Sequence, residues 1–211
     1  MSPTAISVIG TRSFAAEAAD FAEAAGFVVE RLLEPYARDR VGDRIHDYPV
    51  VWLEDAPAGL AIVGTGERSR REVVARAAAA GFEFPPIIHP GAQIARTSAV
   101  GAGAVIGPGV VIGASAGVGE HAVLGRGVLV GHHTTIGAFA TLNPGVNVAG
   151  NTVVEEDAFI GMAAIVRDHT RIGAAATVGA GALVLRDVAA GSDVRGLPAT
   201  VHERRDAAAE G

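Results

Sequence analysis

From Ile88 to Val188 the sequence repeats every six residues. Stepping by six gives Ile88, Ile94, Val100, Ile106, Ile112, Val118, Leu124, Val130 and Ile136, then Leu142, Val148, Val154, Ile160, Val166, Ile172, Val178 and Val184. The fifth slot is small or β-branched, from Ala92 through Thr134, Thr152 and Thr170 to Val188, and the second slot is most often glycine, as at Gly101, Gly119, Gly137 and Gly161. Such a period fits neither an α-helix nor an alternating sheet. It fits a short strand and a tight turn, repeated so that identical slots stack. Three hexads close a triangular coil, and neighbouring coils pair as parallel strands about 4.8 Å apart. The predicted architecture is a parallel β-helix with the large aliphatic inside. Glycine serves a left-handed or crowded turn backbone. So narrow a prism buries too little apolar surface to offset the ordering of its backbone unaided. Outer faces packed between copies are therefore expected.

Ahead of the repeats lies a different pattern. Ala5–Ile9 reads as a buried strand ending at Gly10, and Phe14, Ala18, Phe21 and Ala25 recur at helical spacing until Gly26. FVVERLL is a second strand, PVVWL a short one and LAIVG another. Ser69-x-x-Glu72 has the form of a capping box for a further helix that Gly81 ends. This predicts a β-α-β-α-β unit of Rossmann-like type over residues 1–83, the β-helix over 84–200 and a tail over 201–211. The turn Gly10-Thr11-Arg12-Ser13 is not G-x-G-x-x-G, so NAD is not expected. It still joins a strand to a helix N-terminus, where amides favour an anion, and Arg12 adds a bidentate donor; a solvated loop cation is the alternative.

Composition narrows the chemistry. The absence of cysteine excludes disulfides, thiolate catalysis and thiolate-held metal, and it fits a reducing cytoplasm. A net charge of -6 argues against a general nucleic-acid partner. No basic region followed by a long apolar core opens the chain, so no signal peptide is expected. The uncharged stretch between Arg96 and Glu120 is not read as a membrane helix, because it is rich in glycine, contains Pro108 and keeps the hexad phase.

A Rossmann-like unit followed by hexads carrying GHHTTIGAFATLNPGVNVAGNTVVEEDAFIGMAAIV is similar to the bacterial hexapeptide-repeat sugar acetyltransferases, among them sialic-acid O-acetyltransferases and UDP-4-amino-sugar N-acetyltransferases. The resemblance implies a left-handed β-helix, a cytoplasmic homotrimer, and acetyl-CoA held in a groove between neighbouring helices. It also implies a nucleotide sugar on the N-terminal unit. His132, before Ile136-Gly137, occupies the place of the family's catalytic base. A base suits the reaction: an amine or hydroxyl attacking a thioester must lose a proton, and imidazole ordinarily titrates near neutrality. By the same matching Thr141, Gly150, Met162 and Ala180 fall at the cofactor. Gly10, Thr11, Arg12, Ser13, Glu34 and Gly64 fall at the substrate, and Arg204 and Arg205 either meet the CoA phosphates or are solvated tail charges.

Four features depart from the family pattern, one of them the lack of the family's Gly-His in the Gly10–Ser13 loop. His133 stands where an acid usually orients the base. Another carboxylate does that work, or His133 does it partly through a hydrogen bond, or the base is weaker. Thr141 replaces a second histidine near the thioester carbonyl, and Glu34-Pro35 replaces paired acids. His89, His121 and His169 read as bland surface residues. No metal, nucleic-acid or membrane partner is expected. The rival readings are a non-catalytic β-helix scaffold and a histidine-metal β-helix enzyme of the γ-carbonic-anhydrase type.

Overall fold

A computed structural model describes residues 4–65 and 70–202. The chain opens with β1 (Thr4–Ile9), α1 (Ser13–Ala24), β2 (Phe27–Glu34), β3 (Arg44–Ile45), β4 (Tyr48–Trp52), β5 (Ala61–Val63) and α2 (Arg70–Ala79). The five strands form one sheet in the order β3-β4-β2-β1-β5. β1 pairs in parallel with β2 and β5, β2 pairs in parallel with β4, and β3 runs antiparallel to β4. The sheet is therefore mixed and carries two helices. The strand expected after α2 is reduced to a single parallel bridge between Leu60 and Glu83. β3 was hidden in the polar run after Glu34, which has no alternation to reveal it.

The helix ends agree with the sequence. Gly26 and Gly81 both take positive φ, and after α2 the Gly81 N–H reaches the Ala78 carbonyl while Phe82 N–H reaches Ala77. These two bonds satisfy carbonyls the helix would otherwise strand. Ser69 of the expected capping box lies outside the described residues.

The solenoid begins at β6 (Ile87–Ile88) and adds a two-residue strand every six residues through β22 (Leu183–Val184). Pairing joins residues eighteen apart, as Val111↔Leu129 and Thr135↔Val153. The strands fall into three parallel faces: the first from β6, the second from β7 (Gln93–Ile94) and the third from β8 (Ala99–Val100). First-slot residues from Ile106 to Val184 and fifth-slot residues from Ala104 to Val188 form one continuous buried core. Three of the buried fifth-slot residues are threonines stacked one coil apart; Thr134 donates to the Ala149 carbonyl and Thr152 to Arg167. The phase slips only at the end, where Val188 bridges Ile172, sixteen residues back. β23 (Asp193–Arg195) and β24 (Thr200–His202) then close the first face as an antiparallel pair.

Second-slot glycines are needed for crowding, not for φ. A Cβ on Gly161 would lie 2.5 Å from the Ala180 nitrogen of the next coil. The positive-φ residues sit in the fourth slot and include side chains, such as His133, Phe139 and Asn151.

The N-terminal unit lies on the first face. Ile87, Val105 and Val123 point outward from that face and are buried in one cluster with Phe21, Ala22 and Ala18 of α1. α2 reaches the corner between the third and first faces, where Arg71 pairs with Glu156 and Asp157.

Candidate active site

His132 and His133 occupy a turn at the corner between the second and third faces, after β13 (Leu129–Val130) and before β14 (Thr135–Ile136). The strands on either side fix the turn, and His133 takes the positive-φ position that turns its ring back toward its neighbour. The two Nδ1 atoms lie 3.0 Å apart with the rings nearly perpendicular at 83°. One nitrogen must donate and the other accept, so this contact couples the two tautomers. Both rings are exposed. Gly150 sits one coil further along the same corner, beneath the His132 ring; a Cβ there would be 2.8 Å from Cε1 and 2.9 Å from Nε2. Glycine at 150 thus leaves the space the imidazole fills.

Met162 and Ala180 stack at a different corner, between the first and second faces, after β18 (Phe159–Ile160) and β21 (Thr177–Val178). Between the two corners lies the second face, where Val111, Leu129 and Ile165 project into solvent, Ile165 with 48% of its surface exposed. Within one chain that face separates His132 from Met162 and Ala180.

Thr141 stands on the first face, in β15 (Thr141–Leu142), against α2. Its hydroxyl accepts from Arg70 Nη2 at 3.0 Å, and the same guanidinium donates to the Phe139 carbonyl. Arg70 is only 3% exposed, and among the described residues its Nε and Nη1 have no partner. Burial pulls its pKa down to about 10, so it remains a cation at neutral pH.

The expectation for His121 is corrected. It is 8% exposed, stacked 5.0 Å from Phe139 and edge-on to Phe84, because α2 and the junction cover this corner. Burial, aided by the Arg70 charge, lowers its pKa against the opposing pull of Glu120. His89 is half-buried against Phe21 and accepts from the Gly91 N–H, while His169 is exposed beside Asp168. Among the described residues no group of three or more His, Asp or Glu side chains is arranged to hold a metal ion. No helix there is long and apolar enough to cross a membrane.

The six N-terminal candidates come together. A cavity of about 480 Å³ is lined by Gly10, Thr11, Arg12, Ser13, Glu34 and Gly64, with the 35–37 loop, Arg40 and Thr65 completing it. It opens where β1 has β2 on one side and β5 on the other, at the carboxyl ends of the strands, the crevice in which open α/β sheets bind ligands. Gly64 permits α1 to approach, since a Cβ there would be 2.8 Å from Ala15 Cα. Glu34 is buried and already engaged: it accepts from the Thr11 hydroxyl and from the backbone N–H groups of Tyr36 and Ala37 at 2.7 and 3.0 Å.

No family model matches the chain, and no curated protein matches it. Solved structures do. One is a histidine-to-asparagine variant of perosamine N-acetyltransferase from Caulobacter crescentus in complex with CoA and GDP-perosamine. It has a TM-score of 0.89 at 28% identity, over 95% of this chain and 97% of that one. Another is the acetyltransferase domain of PglB from Neisseria gonorrhoeae in complex with acetyl coenzyme A, with a TM-score of 0.85 at 29% identity, over 95% and 100% of the two chains. WeeI from Acinetobacter baumannii shares the fold at 23% identity, with a TM-score of 0.85 over 94% and 100%. The chain thus shares, along nearly its whole length, the fold of bacterial hexapeptide-repeat sugar acetyltransferases.

In this sugar-acetyltransferase fold the residues that sequence reasoning missed are Tyr36, Arg40 and Arg70. The first two sit in the polar run between β2 and β4, and no periodicity marks them. Arg70 follows a residue pattern that signals only a helix start. Its partners are some seventy positions away, on the solenoid. Arg204 and Arg205 lie outside the described residues.

Proposed function

We propose that this chain transfers an acetyl group from CoA to an amino or hydroxyl group of a nucleotide-linked sugar, with His132 as general base and no covalent enzyme intermediate. The observation that carries the reading is the His132–His133 pair over Gly150, on a chain superposable along nearly its whole length on enzymes holding CoA and GDP-perosamine. For His132 Nε2 to accept a proton, Nδ1 must carry one and donate it to His133 Nδ1. His133 is then the neutral tautomer protonated on Nε2, and it takes over the orienting role of an acid. The acceptor's lone pair attacks the thioester carbonyl carbon as its proton passes to His132 Nε2. The C–S bond then breaks, and His132 returns the proton to the departing thiolate.

On this reading residues 1–83 form a Rossmann-like nucleotide-sugar unit, residues 84–200 a left-handed β-helix and residues 201–211 a tail. Gly10, Thr11, Arg12, Ser13 and Gly64 contact the nucleotide sugar, while Glu34 holds their loop in place. Gly150, Met162, Ala180 and Thr141 border the pantetheine and thioester. His132 and Met162 lie on opposite edges of an exposed apolar face, so two copies packed on that face would bring one chain's base to the other's cofactor corner. A homotrimer in the cytoplasm, where acetyl-CoA is available, completes the proposal.

The test is CoA release from acetyl-CoA with a panel of nucleotide-linked amino sugars. His132→Ala is expected to lower turnover by about 10²–10⁴-fold with the fold intact. Wild-type protein that releases no CoA with any acceptor, or a fully active His132→Ala, would leave only the scaffold reading.

A further inference from the structure

The loop after β2 is held from both sides. Glu34 accepts the backbone N–H groups of Tyr36 and Ala37, and Arg76 donates to the Pro35 carbonyl at 2.8 Å. Arg76 is itself fixed by Glu54 at 2.7 Å, and the Arg38 guanidinium covers Trp52 at 4.3 Å. On this pinned loop Tyr36 nevertheless leaves 52% of its surface exposed, at the wall of the cavity. A large aromatic displayed on a backbone that cannot withdraw it is a preorganised contact surface.

Arg40 supplies the matching charge. It lies across the cavity lining, and its Nη1 reaches the Thr11 carbonyl and hydroxyl only at 3.5 and 3.3 Å. Among the described residues no carboxylate lies within ion-pair distance of Arg40 or Arg12. The Glu34 charge is turned inward, onto Thr11 and the loop amides. α1 begins at the same turn with no side-chain cap and no acidic residue in its first turn. The cavity lining therefore carries two guanidiniums, the amides that open α1, and a π-face.

Resting on the nucleotide-sugar reading above, we propose that Tyr36 reads the nucleobase and Arg40 the diphosphate. The ligand is a nucleoside diphosphate whose base stacks on the Tyr36 ring while its phosphates meet Arg40 and the Gly10–Ser13 turn. Glu34 is a positioning residue: it touches no ligand and sets the loop that displays Tyr36. Stacking needs only a π-face, so the phenol hydroxyl is dispensable.

The experiment is calorimetric titration of the full chain with GDP, UDP and CoA, for wild type, Tyr36→Ala, Tyr36→Phe and Arg40→Gln. Tyr36→Ala is expected to weaken the better nucleotide about 5- to 150-fold, the usual worth of one stacked base. Tyr36→Phe should stay within about twofold of wild type, since the π-face is kept. Arg40→Gln should weaken the nucleotide and flatten its dependence on salt. CoA affinity should be the same in all four proteins. Nucleotide affinity unchanged in Tyr36→Ala, or CoA affinity falling with it, overturns the role of Tyr36. Wild-type protein that binds CoA but neither nucleotide overturns the nucleotide reading of the cavity itself.

Discussion

Gly150→Ala separates the proposed chemistry from the fold. The new Cβ would stand 2.8 Å from His132 Cε1, 2.9 Å from Nε2 and 3.1 Å from Nδ1. Carbon atoms prefer about 3.5–4.0 Å, so the ring has to retreat by roughly 0.7–1.2 Å. That retreat also strains the 3.0 Å Nδ1 contact with His133. A displacement of about 1 Å at a reacting group costs about 10²-fold, or roughly 2.7 kcal/mol of transition-state stabilisation. Stability should not fall with it. Gly150 has no positive φ to lose, the obstructing atoms belong to an exposed side chain, and alanine at a compatible position gains about 0.4–1 kcal/mol by restricting the unfolded chain.

The control is Gly137→Ala, whose Cβ would meet the Glu156 nitrogen at 2.5 Å and the Glu155 carbonyl carbon at 2.6 Å. Those are backbone atoms of the next coil and cannot swing away, so this variant should melt well below wild type. CoA release and thermal unfolding are measured on both. Gly150→Ala with wild-type turnover would refute the claim that the ring acts from where it lies. Gly150→Ala melting as low as Gly137→Ala would refute the claim that the ring is the part that yields.

Two further perturbations probe the surroundings. Burial depresses the His121 pKa, so the unfolded chain binds the proton more readily than the folded one. That stability is present above the ordinary value of about 6.5 and is lost as pH falls below it. The melting temperature should drop from pH 7.5 to 5.5, and His121→Phe should reduce the drop; an equal drop in both proteins would contradict the burial argument. Ile165→Glu places a charge on the exposed apolar face; on the proposed homotrimer it should yield folded monomers by light scattering and abolish CoA release. A variant that stays trimeric would remove that face from the assembly.

How much of this was legible in the residues depends on range. The hexad registers from Ile106 to Val184 state their own burial, because an inward position recurs at a constant step and every inward residue shows the same preference. Gly81 ends α2 as a local cap because its consequence is confined to the next residue. His121 failed for the opposite reason. The repeat shows that it is a turn residue but not that α2 and Phe84 cover its corner, and that corner resembles the others in sequence. Tyr36 and Arg40 matter through a cavity assembled from three separate strand ends, which no single stretch announces. His132 was found by resemblance; the space left by Gly150 and the Nδ1 contact with His133 belong to the coil geometry.

Arg70 carries the argument one step further. A buried guanidinium with no carboxylate bonded to it among the described residues is costly, and the lowering of its pKa to about 10 by burial corresponds to on the order of 3 kcal/mol. It remains charged at neutral pH, and it fixes α2 to the strand that carries Thr141. Guanidinium groups only donate, so the Thr141 oxygen must accept from Arg70, and its own hydrogen points elsewhere. The hydroxyl is thereby polarised as a donor. On the acetyl-transfer reading that is the polarity a thioester carbonyl requires when the family's second histidine is missing. Removing the cation would therefore release the hydroxyl's orientation as well as the α2 contact.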